Sequence, residues 1–186
     1  MLLLLKCKDD YPNFKCSAYG DTREWLDNKR DDFEKYKNIL ERKWKHYKGN
    51  LQSTNAKKSM NDCSKWSKED WENWMKDKGF DFMNQQVQSW LDGNKKKYDD
   101  MTNKHWSDWM KKKRDDLDEN EWKKKEEKRE SWTKFTDAKG KKHTKKYHDE
   151  WTHWNGDMQY NFKKWYPDFM GKWLKEENWK TWVKEI

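Results

Sequence analysis

Tryptophan dominates the large apolar side chains of this sequence and decides what kind of core it can have. Sixteen indoles stand among 186 residues, beside only 10 Leu, 2 Ile and 2 Val. With 42% of residues charged, so small an aliphatic stock would by itself place the chain among disordered sequences. The 16 Trp, 8 Tyr and 7 Phe argue the other way, because large rings are costly to leave in water. If the chain folds, its core is built from aromatic rings. The length suits one domain able to bury such a core.

Two prolines and seven glycines leave most of the backbone free to be helical, and the scarcity of Ile and Val removes the usual material of strands. Asp21-Thr22-Arg23-Glu24 has the form of a helix start, followed by Leu26, Phe33, Tyr36, Leu40, Trp44 and Tyr47 on one helical stripe, with Gly49-Asn50 as its end. Residues 50 to 64 carry no periodicity and read as a connecting loop. A second start at Ser67-Lys68-Glu69-Asp70 leads into Trp71, Trp74, Met75, Phe82, Met83, Val87, Trp90 and Leu91, with Gly79 as an interruption and Asp92-Gly93-Asn94 as a stop. A third, more polar helix runs from about Lys95 to Phe135, and Lys139-Gly140-Lys141 marks a turn. Trp151, Trp154, Met158, Phe162, Trp165 and Phe169 form the strongest stripe, inside which Pro167 is expected to end the helix, kink it or open another. The fold class expected is all-α: an elongated bundle of four to five helices with a tryptophan-rich core over residues 21–186, preceded by an N-terminal extension over 1–20.

Trp-x-x-Trp occurs at Trp71/Trp74, Trp106/Trp109, Trp151/Trp154 and Trp179/Trp182. Residues three apart share a helix face, so each pair makes an aromatic ridge. The pairs are unevenly spaced, which identifies a reused packing device and not a solenoid. Most of these indoles are expected in the core. Those off the stripes, Trp122 and Trp132, are the candidates for an interfacial position at a lipid surface.

Trp71-Glu72-Asn73-Trp74-Met75, Trp151-Thr152-His153-Trp154, Phe162-Lys163-Lys164-Trp165 and Trp179-Lys180-Thr181-Trp182, set in a Lys- and Asn-rich helical chain, resemble the tryptophan-rich antigens of malaria parasites. The resemblance covers roughly Thr22 to Ile186. It implies a helical tryptophan-rich domain that the parasite exports or displays, associated with the red-cell surface. It also implies lipid headgroup binding by a shape like that of membrane-remodelling BAR domains. The family supplies no fixed ligand residue to carry over.

Catalytic chemistry finds little support. His148-Asp149-Glu150-Trp151-Thr152-His153 has the outline of a zinc helix, but its histidines are five apart, so they diverge by about 140° around a helix. The adjacent pairs Asp31/Asp32, Asp99/Asp100 and Asp115/Asp116 point to different sides of a helix and solvate a surface. No phosphate-cradling glycine loop is present. The expectation is a non-enzyme with no metal and no cofactor. Cys7, Cys16 and Cys63 cannot all pair, and either a Cys7–Cys16 bridge or free thiols fits the spacing.

The net charge of +8 overlies a dense mixture of both signs, which argues against a continuous nucleic-acid track. Ala138 to His148 is the exception, with Lys139, Lys141, Lys142, Lys145 and Lys146 and no acid. Beside Trp132, Tyr147, Trp151 and Trp154, these lysines are the candidate headgroup-binding residues. The function expected is therefore a lipid-surface binder that takes anionic phospholipid or sulfated glycolipid (sulfatide) headgroups at the red-cell or parasite membrane. The alternative is an adhesion module for an erythrocyte surface protein. A dimer is compatible with either. The apolar start, Met1 to Leu5, is too short for a signal segment, and nothing approaches a membrane span.

Overall fold

The computed structural model describes residues 2–115 and 126–186, with side chains for 10–115 and 130–186. Six α-helices occur among the described residues, and no strand: α1 (Leu2–Lys43), α2 (Thr54–Ser59), α3 (Lys68–Trp74), α4 (Phe80–Asp115), α5 (Glu126–Lys175) and α6 (Asn178–Glu185). The all-α expectation holds.

Several local signals gave way to packing. Asp21 caps nothing, because α1 already runs through it and through Pro12, so the boundary expected between 20 and 21 falls inside a helix. Cys7 and Cys16 are thus nine residues apart on one helix, roughly 14 Å along its axis, too far to bridge. Cys16 and Cys63 are free thiols. The expected stop at Asp92-Gly93-Asn94 lies within α4, where Leu91, Asn94 and Tyr98 are buried on one face. Lys139-Gly140-Lys141 is likewise no turn but part of α5, and Pro167 lies inside the same helix without ending it. A glycine or proline costs a helix about 1 to 3 kcal/mol, which a long buried face offsets.

Elsewhere the signals held. Ser67 and Asp70 form a reciprocal capping box, the serine Oγ accepting from the Asp70 N–H at 3.2 Å and the carboxylate accepting from the Ser67 N–H at 2.8 Å. Gly79 does interrupt the second helix: Met75–Gly79 is a single π-helical turn between α3 and α4. A Cβ at Gly79 would lie 3.0 Å from the Trp74 ring and from the Met75 sulfur. The segment read as loop holds α2, capped by Ser53, and a short 3-10 turn at Cys63–Lys65.

The chain divides into two compact units, Met1–Asn28 with Gly93–Trp154, and Lys29–Asp92 with Asn155–Ile186. In the second unit most of the indoles form one cluster. Trp182 contacts Trp44, Trp71, Trp74 and Trp173 at ring separations of 5.4, 6.4, 5.8 and 5.3 Å, mostly edge to face. Most of its polar tips are satisfied internally, the buried Trp71 N–H being the exception. Trp173 and Trp182 both donate to the carbonyl of Trp44, Trp44 donates to Gln86 Oε1 at 2.8 Å, and the Tyr166 hydroxyl donates to the Met75 carbonyl at 2.6 Å, within the π turn. Glu185 brings α6 to the end of α1 by accepting from the backbone N–H groups of Tyr47 and Lys48 and pairing with His46.

The first unit packs α1, α4 and α5 around a mixture of indole, phenyl, phenol and imidazole rings. Phe14 stacks on Trp109 at 5.1 Å and on His143 at 5.8 Å, and Tyr98 meets Trp25 and Trp151 at 5.7 and 5.4 Å. Threonine supplies part of this core. Thr22, Thr102 and Thr136 are buried and donate to carbonyls three residues back, so their hydroxyls need no partner from another helix.

Candidate functional site

The lysine cluster lies on α5 in the first unit, and the buried row Trp132, Thr136, His143, Tyr147, Trp151 divides it. On the side toward α1, Lys139 sits over the Tyr11 ring at 5.2 Å, and Lys146 over Tyr19 at 4.6 Å and Tyr147 at 5.5 Å. Both ammonium groups thus rest on aromatic faces. Lys142 is exposed. Lys141 and Lys145 lie toward α4, and Lys145 is paired with Asp149 at 2.5 Å. The five lysines are therefore not one patch. Lys141, Lys142 and Lys145 project to solvent, while the half-buried Lys139 and the exposed Lys146 lie against aromatic rings of the α1 side.

Lys141 and Lys145 border an open trough of about 700 Å³ whose other residues are Trp106 and Met110 from α4 and Thr136, Asp137, Gly140, Thr144 and His148 from α5. Gly140 explains its shape. A Cβ there would lie 3.3 Å from the Trp106 indole, so the absent side chain lets the ring lie against the backbone of α5. The trough continues into a second hollow of about 470 Å³, which shares Met110 and Thr136 and adds Lys111, Arg114 and Trp132. Sequence reasoning passed over Trp106 and Met110 as core stripe. The usable signal was a glycine on one helix opposite a tryptophan on its neighbour.

The interfacial expectation for Trp132 is corrected: it is 7% exposed and packs against Phe135 at 6.2 Å. Its helix presents it on the same face as Thr136 and His143, a row whose polar members hid it from a count of apolar residues. Trp122 lies outside the described residues. Among the described residues no tryptophan is exposed, and the exposed large hydrophobic residues are Tyr19, Ile39, Tyr160 and Ile186. Among the described residues, some of the other lysines are neutralised locally or buried, while Lys111 and Arg114 stay exposed. Lys95 pairs with Asp99 and Lys104 with Asp108 at helical spacing, and Lys113 is buried against Asp10.

Behind the lysines lies a buried polar group. His143 is 6% exposed, and its Nε2–H donates to the Thr102 carbonyl at 2.8 Å; burial pushes its pKa down, so it is held neutral. Glu150 has both carboxylate oxygens buried beside the Tyr98 hydroxyl. Burial raises its pKa, against the opposing pull of Arg23 and Lys146. The Tyr98 hydroxyl, fully buried, is coupled to Glu150, and burial first, then Glu150, drives its pKa upward. Burial, with Glu150 next, pushes Tyr147 up to about 12. The three histidines of the ladder have unlike surroundings: His143 in the core, His148 on the trough, His153 exposed.

No described helix is long and apolar enough to cross a membrane. No curated protein matches the sequence. The sequence model of a family described as "Tryptophan-Threonine-rich plasmodium antigen C terminal" matches residues 3–131 and 126–182, nearly the whole chain. The chain belongs to this family of Plasmodium tryptophan- and threonine-rich antigens.

Proposed function

We propose that this domain is a non-enzymatic binder of anionic membrane surfaces, taking phospholipid or sulfated glycolipid headgroups on the outward lysines of α5, at the parasite or red-cell membrane. The observation that carries the reading is the placement of Lys141, Lys142 and Lys145 on the solvent side of a helix whose opposite side is locked into the core. Such a helix can meet a charged surface without unfolding. Each lysine near an anionic leaflet contributes on the order of 1 kcal/mol, so three together hold a protein that one would not. That no described tryptophan is exposed favours electrostatic attachment over aromatic insertion.

Sedimentation with vesicles tests this. The protein pellets with phosphatidylserine or sulfatide vesicles, not with phosphatidylcholine alone, and the bound fraction falls as salt rises. Reversal of Lys141, Lys142 and Lys145 to Glu should remove most of the binding. Lys112→Glu, on the exposed side of α4, is the matched control, since Lys113 is buried and its reversal would disturb the fold. Equal pelleting with neutral and anionic vesicles would overturn the reading.

A further inference from the structure

The trough between α4 and α5 has features that headgroup binding does not use. Its floor is apolar, made by the half-buried Trp106 and Met110 and the edge of Trp132. Its walls are basic on both sides: Lys111 and Arg114 rise from α4, Lys141 and the Asp149-paired Lys145 from α5, and among the described residues Asp137 is the one acid lining it. From Trp132 to His148 the α5 wall runs roughly 24 Å, the length of about 16 helical residues.

We infer that this trough is a docking groove for an acidic amphipathic helix of a partner protein, which lays leucine-type side chains on Trp106 and Met110 and sets carboxylates against Lys111, Arg114 and Lys141. Three considerations select that occupant. An open trough would leave an acyl chain wet along most of its length, whereas pockets for small apolar ligands enclose most of the ligand. A helix brings its own polar face to cover the opening, and pairs its apolar stripe with the floor. Cations on both walls match acids on both flanks of the stripe, which sets orientation and speeds encounter. Methionine on the floor adapts to different apolar side chains, and its neighbour Trp106 offers the broad ring that anchors helical partners.

The inference stands apart from membrane attachment, because Lys111 and Arg114 belong to the trough and Lys142 does not. The probe is a fluorescein-labelled synthetic helix of about 16 residues with Leu at i, i+3, i+4 and i+7 and Glu on both flanks, compared with its counterpart carrying Lys for Glu. Fluorescence anisotropy should show the acidic peptide binding at least about tenfold more tightly than the basic one at low salt. In Lys111→Glu/Arg114→Glu, both exposed positions, the preference should invert, while circular dichroism and phosphatidylserine-vesicle binding stay unchanged. Met110→Glu should weaken the acidic peptide further. Equal binding of the two peptides, or an unaltered preference in the Lys111→Glu/Arg114→Glu protein, overturns the inference. So does loss of vesicle binding in that protein together with competition between vesicles and peptide, which would make the trough a lipid site. Failure of vesicle binding alone, with the peptide results intact, would instead overturn the membrane reading.

Discussion

Trp182 donates its indole N–H to the carbonyl oxygen of Trp44 at 2.8 Å. Trp173 donates to the same oxygen at the same distance. Because α1 ends at Lys43, that carbonyl has no helical N–H of its own to accept from, and the two indoles serve as its cap. The pairing joins the C-terminal end of α1 to α5 and α6 at the centre of the aromatic cluster.

The shared acceptor makes the two indoles redundant for satisfaction of the oxygen. Trp173→Phe or Trp182→Phe alone should cost about 1 kcal/mol for the lost hydrogen bond, plus the packing of the smaller ring. The double variant leaves a buried carbonyl with no donor, and should cost about 1 to 2 kcal/mol more than the sum of the singles. Urea unfolding of the three variants measures this. Additive losses would show that the second indole contributes packing alone.

How much of this was legible in the sequence varies by residue for physical reasons. The stripes through Phe33, Leu40 and Trp44, and through Met158, Phe162 and Phe169, read correctly because helical spacing of large rings survives any tertiary arrangement. Ser67 and Asp70 read correctly because a capping box is a local device. Gly93 and Gly140 misled because a glycine signals a stop only when nothing downstream holds the helix. At Gly140 its meaning was tertiary, the seat of Trp106. Trp132 was misplaced because the row it belongs to steps by 4, 7, 4 and 4 through Thr136, His143, Tyr147 and Trp151, and two of those are polar. The lysines were found but not their division, since which flank of α5 faces α1 is set by contacts with Tyr11 and Tyr19, far away in sequence.

Glycine substitutions separate these roles. Gly93, Gly156 and Gly171 lie inside helices with nothing within 4 Å of an added Cβ. Each change to Ala should stabilise by about 0.5 to 1 kcal/mol. Gly79→Ala should destabilise, because its Cβ would meet the Trp74 ring at 3.0 Å in a fully packed cluster. Gly140→Ala should fall between, the helical gain being offset by displacement of Trp106 from 3.3 Å. Midpoints of thermal unfolding rank the five; a stabilised Gly79→Ala would contradict the close approach.

The capping box gives a local test in the second unit. Ser67→Ala removes the acceptor for the Asp70 N–H at an exposed helix start and should cost about 1 kcal/mol. Asp70→Ala removes the reciprocal half and the favourable charge at the helix N-terminus, with a similar effect. Ser67→Asp should retain most of the stability in chemical unfolding, whereas Ser67→Val should not.

Two buried groups of the first unit give opposite pH dependences. Glu150 has its pKa raised in the folded protein, so folding is penalised when it is ionised; the penalty fades as pH falls through the folded pKa toward the ordinary value of about 4.3. His143 has its pKa lowered, so its contribution is complete above about pH 6.5 and is lost as pH falls below that, while the unfolded chain takes up a proton that the folded one refuses. Arg23 from α1, Tyr98 from α4 and Lys146 and Tyr147 from α5 face Glu150. His105 and Lys146 act on His143. Glu150→Gln should therefore be more stable than the parent at pH 7.5, by a margin that narrows as pH falls toward the ordinary carboxyl value of about 4.3. His143→Gln, whose amide can still donate to the Thr102 carbonyl, should lose the decline that the parent shows between pH 7 and 5. Thermal midpoints across that range decide it. A margin for Glu150→Gln that stays constant with pH would show that its carboxyl titrates alike in the folded and unfolded chain.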